Sequence, residues 1–302
     1  MAERPRLAQH SIPGRRPYQE DSIFAEALPD GRILVAVADG MGGHAAGEVA
    51  SALALETLKA SLEAGKEMTE AFRLANAAVH KKSMEPGKQG MGTTLVAALV
   101  DGDRYMVGNV GDSRGYLLSG DGIKRITQDH SFVAEAIKRG QSEEEAEASQ
   151  WRDALTRAIG TDPEVKADVF GPFPVERNTA LLLCSDGLYK SLRDPQLREI
   201  FGRSGGPKGA SQTLVSSAYE GGSDDNISVV IAEFGQVPRD QPMGTMPLEF
   251  EPPEPEDGAP AKGGPPQAGA ENDDAPSAEG GEGGEGGEGE GEKGSWWQRW
   301  RK

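Results

Sequence analysis

Residues 33–64 read ILVAVADGMGGHAAGEVASALALETLKASLEA. Ile33–Ala38 is an unbroken apolar run that stops at Asp39-Gly40, the pattern of a short buried strand. After Met41-Gly42-Gly43-His44 the composition turns to Ala, Leu and Glu. Val49 and Leu53 then fall at helical spacing, with Leu55, Leu58 and Leu62 widening the apolar face, so Ala45–Ala64 is predicted to be a helix.

Upstream of this stretch, Leu7–Ile12 and Ser22–Leu28 are short β-compatible runs. Downstream, Glu67–Ser83 repeats the helical pattern through Ala71, Leu74, Ala75 and Ala78. Four short strands are expected next, at Thr93–Val100, Tyr105–Val110, Arg114–Leu118 and Ile123–Thr127, with Asp101-Gly102 and Asp121-Gly122 as hairpin turns. Phe132–Arg139 reads as a helix ending at Gly140, and the acidic Gln141–Gln150 as a mobile excursion. Ala180–Ser185 is a further apolar strand, Pro195–Phe201 and Ala210–Tyr219 are helices, and Ile227–Phe234 is a last strand. Strands, two helices, a meander, a strand, two helices and a strand make an α+β chain, not a βαβ alternation. The expectation is two antiparallel sheets packed on each other with helix pairs outside.

Composition divides the chain. Residues 235–302 hold 25 Gly or Pro among 68 residues and carry a net charge of −9, against −8 for residues 1–234. Glu279–Glu292 is a Gly/Glu run with too little apolar surface to fold. A folded domain over 1–234 is therefore expected, followed by a disordered acidic linker over 235–294 and a Trp/Arg-rich tip over 295–302. A net charge of −17 argues against nucleic acid as a partner. The longest apolar runs, six residues, are too short to span a bilayer, and MAERPRLAQHSIPG has no apolar signal core. A lone cysteine, Cys184, excludes an internal disulfide and a Cys-rich zinc site, so a cytoplasmic location is expected.

Six Asp-Gly pairs occur, and most suit hairpin turns. Asp39-Gly40 and Asp186-Gly187 differ, because each follows a buried strand and no partner strand is expected after either. A carboxylate there supplies charge, and the glycine lets a backbone carbonyl approach as another oxygen ligand. Asp112, in Gly111-Asp112-Ser113-Arg114, breaks the meander, Asp225 precedes the last strand, and Glu20-Asp21 follows Arg16. Each alone suits a turn or a cap. Together they are an all-oxygen set, which selects Mg2+ or Mn2+ over Zn2+.

Arg16-Pro17-Tyr18-Gln19-Glu20-Asp21, Asp39-Gly40-Met41-Gly42-Gly43-His44 with Gly47-Glu48, Gly92-Thr93-Thr94, Gly111-Asp112-Ser113-Arg114, Ser185-Asp186-Gly187 and Asp225-Asn226 stand in one order and register. In this the chain resembles the bacterial branch of the PP2C-like (PPM) metal-dependent serine/threonine protein phosphatases, over about residues 7–234. The resemblance implies a four-layer α-β-β-α sandwich and hydrolysis of phosphoserine and phosphothreonine in proteins by a metal-activated water. It implies that Asp39, Asp186 and Asp225 hold a first cation and that Asp39 bridges to a second, which also takes the Gly40 carbonyl. Glu20 and Asp21 would sit beside the second, directly or through water. Asp112 with Asp186 would hold a third, weaker one. Arg16 would bind phosphate, as a guanidinium can grip two oxygens. It further implies phosphorylated proteins and an opposing Ser/Thr kinase as partners.

Two positions depart from the family pattern. Gln19 stands where bacterial members usually have Asn, and Met41 stands where eukaryotic members place a candidate acid histidine. His44 is not assigned that role, and the proton donor is left open, a metal-bound water being the default. The alternative class is a catalytically inactive phosphoprotein-binding module. Cys184 is expected to be core, and no nucleophile-elbow serine is expected. Gln141–Arg152, with Glu143, Glu144, Glu145, Glu147 and Trp151, corresponds to the family's flap and is either a solvated stretch or a gate favouring basic substrates. The tip, with Trp296, Trp297 and Trp300 beside Arg299, Arg301 and Lys302, is read as a docking peptide for a partner, with transient membrane-surface binding also open. A monomer is expected.

Overall fold

A computed structural model describes residues 4–43 and 45–237. In chain order the elements are β1 (Arg6–Ile12), β2 (Asp21–Ala27), β3 (Ile33–Met41), α1 (Ala45–Glu63), α2 (Met68–Ser83), β4 (Gly92–Thr93) and β5 (Leu95–Asp101). Then come β6 (Arg104–Val110), β7 (Arg114–Leu118), β8 (Ile123–Arg125), α3 (Phe132–Lys138), α4 (Glu143–Glu147), β9 (Asp168–Pro174) and β10 (Thr179–Cys184). The last are α5 (Asp186–Tyr189), α6 (Asp194–Arg203), α7 (Pro207–Glu220) and β11 (Ile227–Phe234). One sheet runs β1-β11-β10-β7-β8 and the other β2-β3-β5-β6-β9, with β4 paired to β3, and every pairing is antiparallel.

The central strands are continuously apolar because both of their faces are covered. Along β3, Val35 and Val37 enter the core between the sheets, while Leu34, Ala36 and Ala38 pack under Ala50, Ala54, Leu58 and Phe72 of α1 and α2. Along β11, Val230 and Ala232 join the inter-sheet core, while Val229 and Ile231 meet Leu197 and Phe201 of α6 and Leu214 and Ala218 of α7. Period-2 alternation thus sorts one apolar run into two cores. The result is the α-β-β-α sandwich expected above, with α1/α2 on one side and α6/α7 on the other.

Four details correct the sequence reading. The expected meander is split: β6 and β7 lie in different sheets, and Gly111–Ser113 carries the chain across. β3 runs two residues past Asp39, since Gly40 and Met41 pair with Thr93 and Gly92, before the chain enters α1 as expected. Gln141–Gln150 is not featureless. It holds α4, whose Ser142 and Glu145 form a reciprocal capping box and whose Ala146 is buried. β9 was missed because its sequence, DVFGPFP, breaks the strand pattern; as an edge strand it needs no donor from Pro172 on its open side. Among residues 4–43 and 45–237, no helix is long and apolar enough to cross a membrane. The tip, and the linker beyond Val237, lie outside the described residues.

Candidate active site

The expected acidic residues gather because of where their strands end. Asp21 and Asp39 stand directly opposite each other in the β2/β3 register. Asp186 follows β10 at the start of α5, Asp225 lies just before β11, and β10 and β11 are paired neighbours. Asp112 occupies the crossing between the sheets. The carboxyls act on one another. Burial first, then Asp21, Asp186, Asp112 and Asp225, push Asp39 well above the usual carboxylate range. Burial, set against hydrogen bonding and joined by Asp186 and Asp225, pushes Asp21 up to about 7. Burial and Asp186 push Asp112 up to about 7 as well. Asp225 is raised by burial and by Asp186. So many mutually repelling carboxyls at one end of a sandwich call for positive charge.

Both marked glycines are required by close approach. A Cβ on Gly40 would lie 2.2 Å from the Gly47 carbonyl oxygen and 2.5 Å from that of Glu20. A Cβ on Gly187 would lie 2.1 Å from the Asn226 carbonyl oxygen. The first packs β3 against α1 and the Glu20 backbone, and the second packs α5 against the loop before β11.

A polar scaffold that sequence reasoning missed aims the carboxylates. Gln19 Nε2 donates to Ser11 Oγ at 2.6 Å, Ser11 and Ser228 share a 2.7 Å hydroxyl contact, and Ser228 Oγ donates to Asp21 Oδ2 at 2.6 Å. Gln19 Oε1 also accepts from the Asp21 N–H at 3.3 Å, so the glutamine caps the turn from which its departure raised doubt. Asn226 clamps the opposite loop: its amide donates to the carbonyls of Pro13 and Tyr18, and its Oδ1 accepts from the Glu20 N–H at 2.7 Å. Arg16 reaches Asp225 Oδ2 through Nη2 at 2.8 Å and the Asp224 carbonyl through Nε at 3.1 Å. Asp112 accepts from Tyr189 Oη at 3.3 Å, and the Arg114 guanidinium, paired with Asp129 at 2.7 Å, lies 3.5 Å over the Tyr189 ring. Arg16, Gln19, Asn226 and Arg114 stood inside the quoted motifs, whereas Ser11, Ser228 and Tyr189 did not.

The donor set fits a hard divalent cation. Among the described residues, Asp21 Oδ1 and Asp186 Oδ1 are buried without a hydrogen-bond partner, and the carboxylates offer only oxygen. The cluster is not a preformed cage, however. Among the described residues no three His, Cys, Asp or Glu side chains converge tightly enough to hold an ion as they stand. Two of the carboxylates are instead tied to cations of the chain, Asp225 to Arg16 and Asp186 to Lys190 at 2.6 Å.

Other candidates fall away. Cys184 is fully buried in β10, where burial pushes its thiol far up. Gly111-Asp112-Ser113-Arg114-Gly115 and Gly202-Arg203-Ser204-Gly205-Gly206 both carry the Gly-x-Ser-x-Gly spacing, against the expectation that no elbow serine would be found. Ser113 nevertheless spends its hydroxyl on Thr94 at 2.7 Å and Ser204 donates to the Ile200 carbonyl at 2.7 Å. His130 is buried. Its Nδ1 accepts from the Gly111 N–H at 3.0 Å, which leaves Nε2–H to donate to Asp168 at 3.0 Å. His44 lies outside the described residues. A groove of about 640 Å3 lined by Leu192, Ile200, Arg203 and Thr213 takes in none of the carboxylates.

Two antiparallel sheets that bring a carboxylate cluster and a neighbouring arginine to one end define a class of phosphate-ester hydrolases. The sequence pattern of protein phosphatase 2C matches residues 15–214. A serine/threonine phosphatase of Listeria welshimeri is 35% identical over 233 residues, covering 72% of this chain and 91% of that one. The crystal structure of the Mycobacterium tuberculosis serine/threonine phosphatase PstP superposes with a TM-score of 0.69 at 36% identity, over 78% of this chain and all of that one. A catalytic-domain structure of PstP in complex with two manganese ions gives a TM-score of 0.66 at 35% identity, covering 76% and 98%. The chain belongs to the protein phosphatase 2C family, and it is a serine/threonine protein phosphatase.

Proposed function

We propose that the cluster is a divalent-cation site at which phosphoserine and phosphothreonine in proteins are hydrolysed. Asp39, Asp186 and Asp225 would hold one cation. Asp39 with the Gly40 carbonyl would hold a second, beside Glu20 and Asp21, and Asp112 with Asp186 a third, weaker one. The observation that carries this reading is the set of raised, mutually repelling carboxyls in which Asp21 Oδ1 and Asp186 Oδ1 have no hydrogen-bond partner among the described residues. When bound, Mn2+ or Mg2+ supplies a water of lowered pKa and offsets charge on the phosphoryl oxygens. Arg16 is half exposed beside Asp225, and its remaining N–H donors would orient a phosphoryl group. Ser228 and Gln19 fix the Asp21 carboxylate, and Tyr189 fixes that of Asp112. The three aspartates whose loss would mark an inactive module, Asp39, Asp186 and Asp225, are all present.

The substrates are phosphorylated proteins opposed to a Ser/Thr kinase, and the protein acts as a cytoplasmic monomer. Glu143, Glu144, Glu145 and Glu147 are all exposed on the flap, which supports a preference for basic residues around the phosphorylated side chain. The tip, 295–302, serves as a docking peptide. The test of the site is hydrolysis of a phosphothreonine peptide with added Mn2+ by Asp39→Ala, Asp186→Ala and Asp225→Ala. Each is expected to abolish activity while circular dichroism shows a folded chain. Full wild-type activity in EDTA would sink the reading.

A further inference from the structure

Lys190 is a second cation beside the cluster, and no motif or resemblance assigned it. Its Nζ lies 2.6 Å from Asp186 Oδ2 and 3.6 Å from Asp153 Oδ1, and its side chain is 47% exposed, close to the 50% of Arg16. Asp112 and Asp225 feel its charge as well, so the ammonium faces the cluster rather than bulk solvent alone. The Asp186 end is buried, whereas the Asp153 side chain is 71% exposed and also meets Arg152 Nε at 3.3 Å. The Lys190 N–H donates to the Asp186 carbonyl at 3.0 Å. Asp153 precedes a segment stitched to His130–Phe132, with the Phe132 N–H on the Ala154 carbonyl and the Thr156 N–H on the His130 carbonyl, each at 2.8 Å. Asp153 and Asp186 therefore hold the ammonium from two sides. An ammonium has three donors, and among the described residues only Asp186 lies within hydrogen-bond distance of this one. Arg16 stands on the Asp225 side of the cluster and Lys190 on the Asp186 side.

We propose that Lys190 is a second phosphate-binding residue of this site, held in place by Asp153, so that the phosphoryl group is gripped by Arg16 from one side and by Lys190 from the other. This rests on the cation-site reading above. Being a compact charge with free donors, an ammonium suits a phosphoryl oxygen without the planar geometry that a guanidinium needs.

The experiment measures inorganic phosphate binding to the Mn2+-loaded full chain by calorimetry, together with kcat and KM for a phosphothreonine peptide, in wild type, Lys190→Met, Lys190→Arg and Asp153→Asn. Lys190→Met is expected to weaken phosphate binding and raise KM together by roughly tenfold, the weight of one charge-assisted hydrogen bond, with kcat within about twofold. Lys190→Arg should restore most of both, and Asp153→Asn should shift both by about two- to threefold in the same direction. If Lys190→Met leaves phosphate binding and KM unchanged and alters only Mn2+ affinity, Lys190 is merely the counter-ion of Asp186 and the proposal is overturned. Failure of the site reading itself would look different: wild type would then bind no Mn2+.

Discussion

Asp39 sits in electrostatic conflict with its neighbours. Its carboxyl is pushed up by burial and by four other aspartates, yet its backbone is fully used, with N–H donated to Thr94 Oγ1 at 3.0 Å and carbonyl accepting from Thr93 Oγ1 and the Thr94 N–H at 2.8 Å each. The position is therefore rigid while the side chain is unfavourable without a cation. Asp39→Asn keeps the shape and removes one repelling charge. In excess chelator the variant should melt higher than wild type, by about 2–4 °C for each kcal/mol of repulsion relieved. With Mn2+ its phosphatase activity should fall by at least 10²–10³-fold, roughly the loss seen when one transition-state-stabilising group is removed. Scanning calorimetry in EDTA beside a phosphopeptide assay checks both, and a lower melting temperature in EDTA would show that the negative charge at this position is structurally required. The carboxylates themselves were legible as residue types. Ser11, Ser228 and Tyr189 were not, because a hydroxyl carries no sign in sequence of the carboxylate it will serve across the fold.

At the scale of elements, the site depends on how closely loops approach one another. Gly187 lets α5 lie against the Asn226 backbone, and a methyl there would meet a carbonyl oxygen at 2.1 Å. Since that oxygen is backbone, relief requires moving the loop that carries Asp225. Gly187→Ala should cost about 1–3 kcal/mol of stability, read from urea midpoints, and should weaken Mn2+ binding more than an alanine at a distant glycine with open space around it such as Gly209. A second element-scale device ties the crossing between the sheets to β9: His130 accepts from Gly111 and donates to Asp168, which Arg157 also grips at 2.7 Å. Burial holds the His130 imidazole below its ordinary value, and its stabilising contribution is complete above about pH 6.5 and is lost as pH falls below that. Burial alone would raise Asp168, but the hydrogen bonds from His130 and Arg157 outweigh it and hold the carboxyl well below the usual range, so its contribution is present above about pH 3.8 and is lost only in stronger acid. The raised carboxyls of the cluster have the opposite sign, so the difference between wild type and His130→Gln isolates the histidine. The variant should be less stable at pH 8 and lose less on going from pH 7 to pH 5, the gap closing by at most about 1.4 kcal/mol per pH unit. Parallel stability curves across that range would exclude His130 as the titrating group.

For the whole molecule, the three cores of the described residues draw their buried members from Leu28 through Val237. A chain ending at Asp240 should therefore melt within about 2 °C of the full protein and hydrolyse para-nitrophenyl phosphate equally well. Truncation at Gly294 should likewise spare a short phosphopeptide while slowing dephosphorylation of the protein partner. Equal rates on every substrate and unchanged cell fractionation would remove any role for the tip. The sequence alone determined the layer order. Apolar runs of strand length, helical periodicities and Asp-Gly turns are local, and burial on two faces leaves a run such as Ile33–Ala38 only one reading. It also supplied the acidic residues, because their motifs are short and contiguous. The tertiary structure decided the rest: that β6 and β7 part into different sheets at Asp112, that a proline-bearing segment closes one edge, and that Lys190 and Arg16 flank the carboxylates. Those outcomes depend on groups such as Ser228 and Asp21, which lie 207 residues apart and meet only once both sheets have closed. Such contacts are settled by packing, and no local pattern records them.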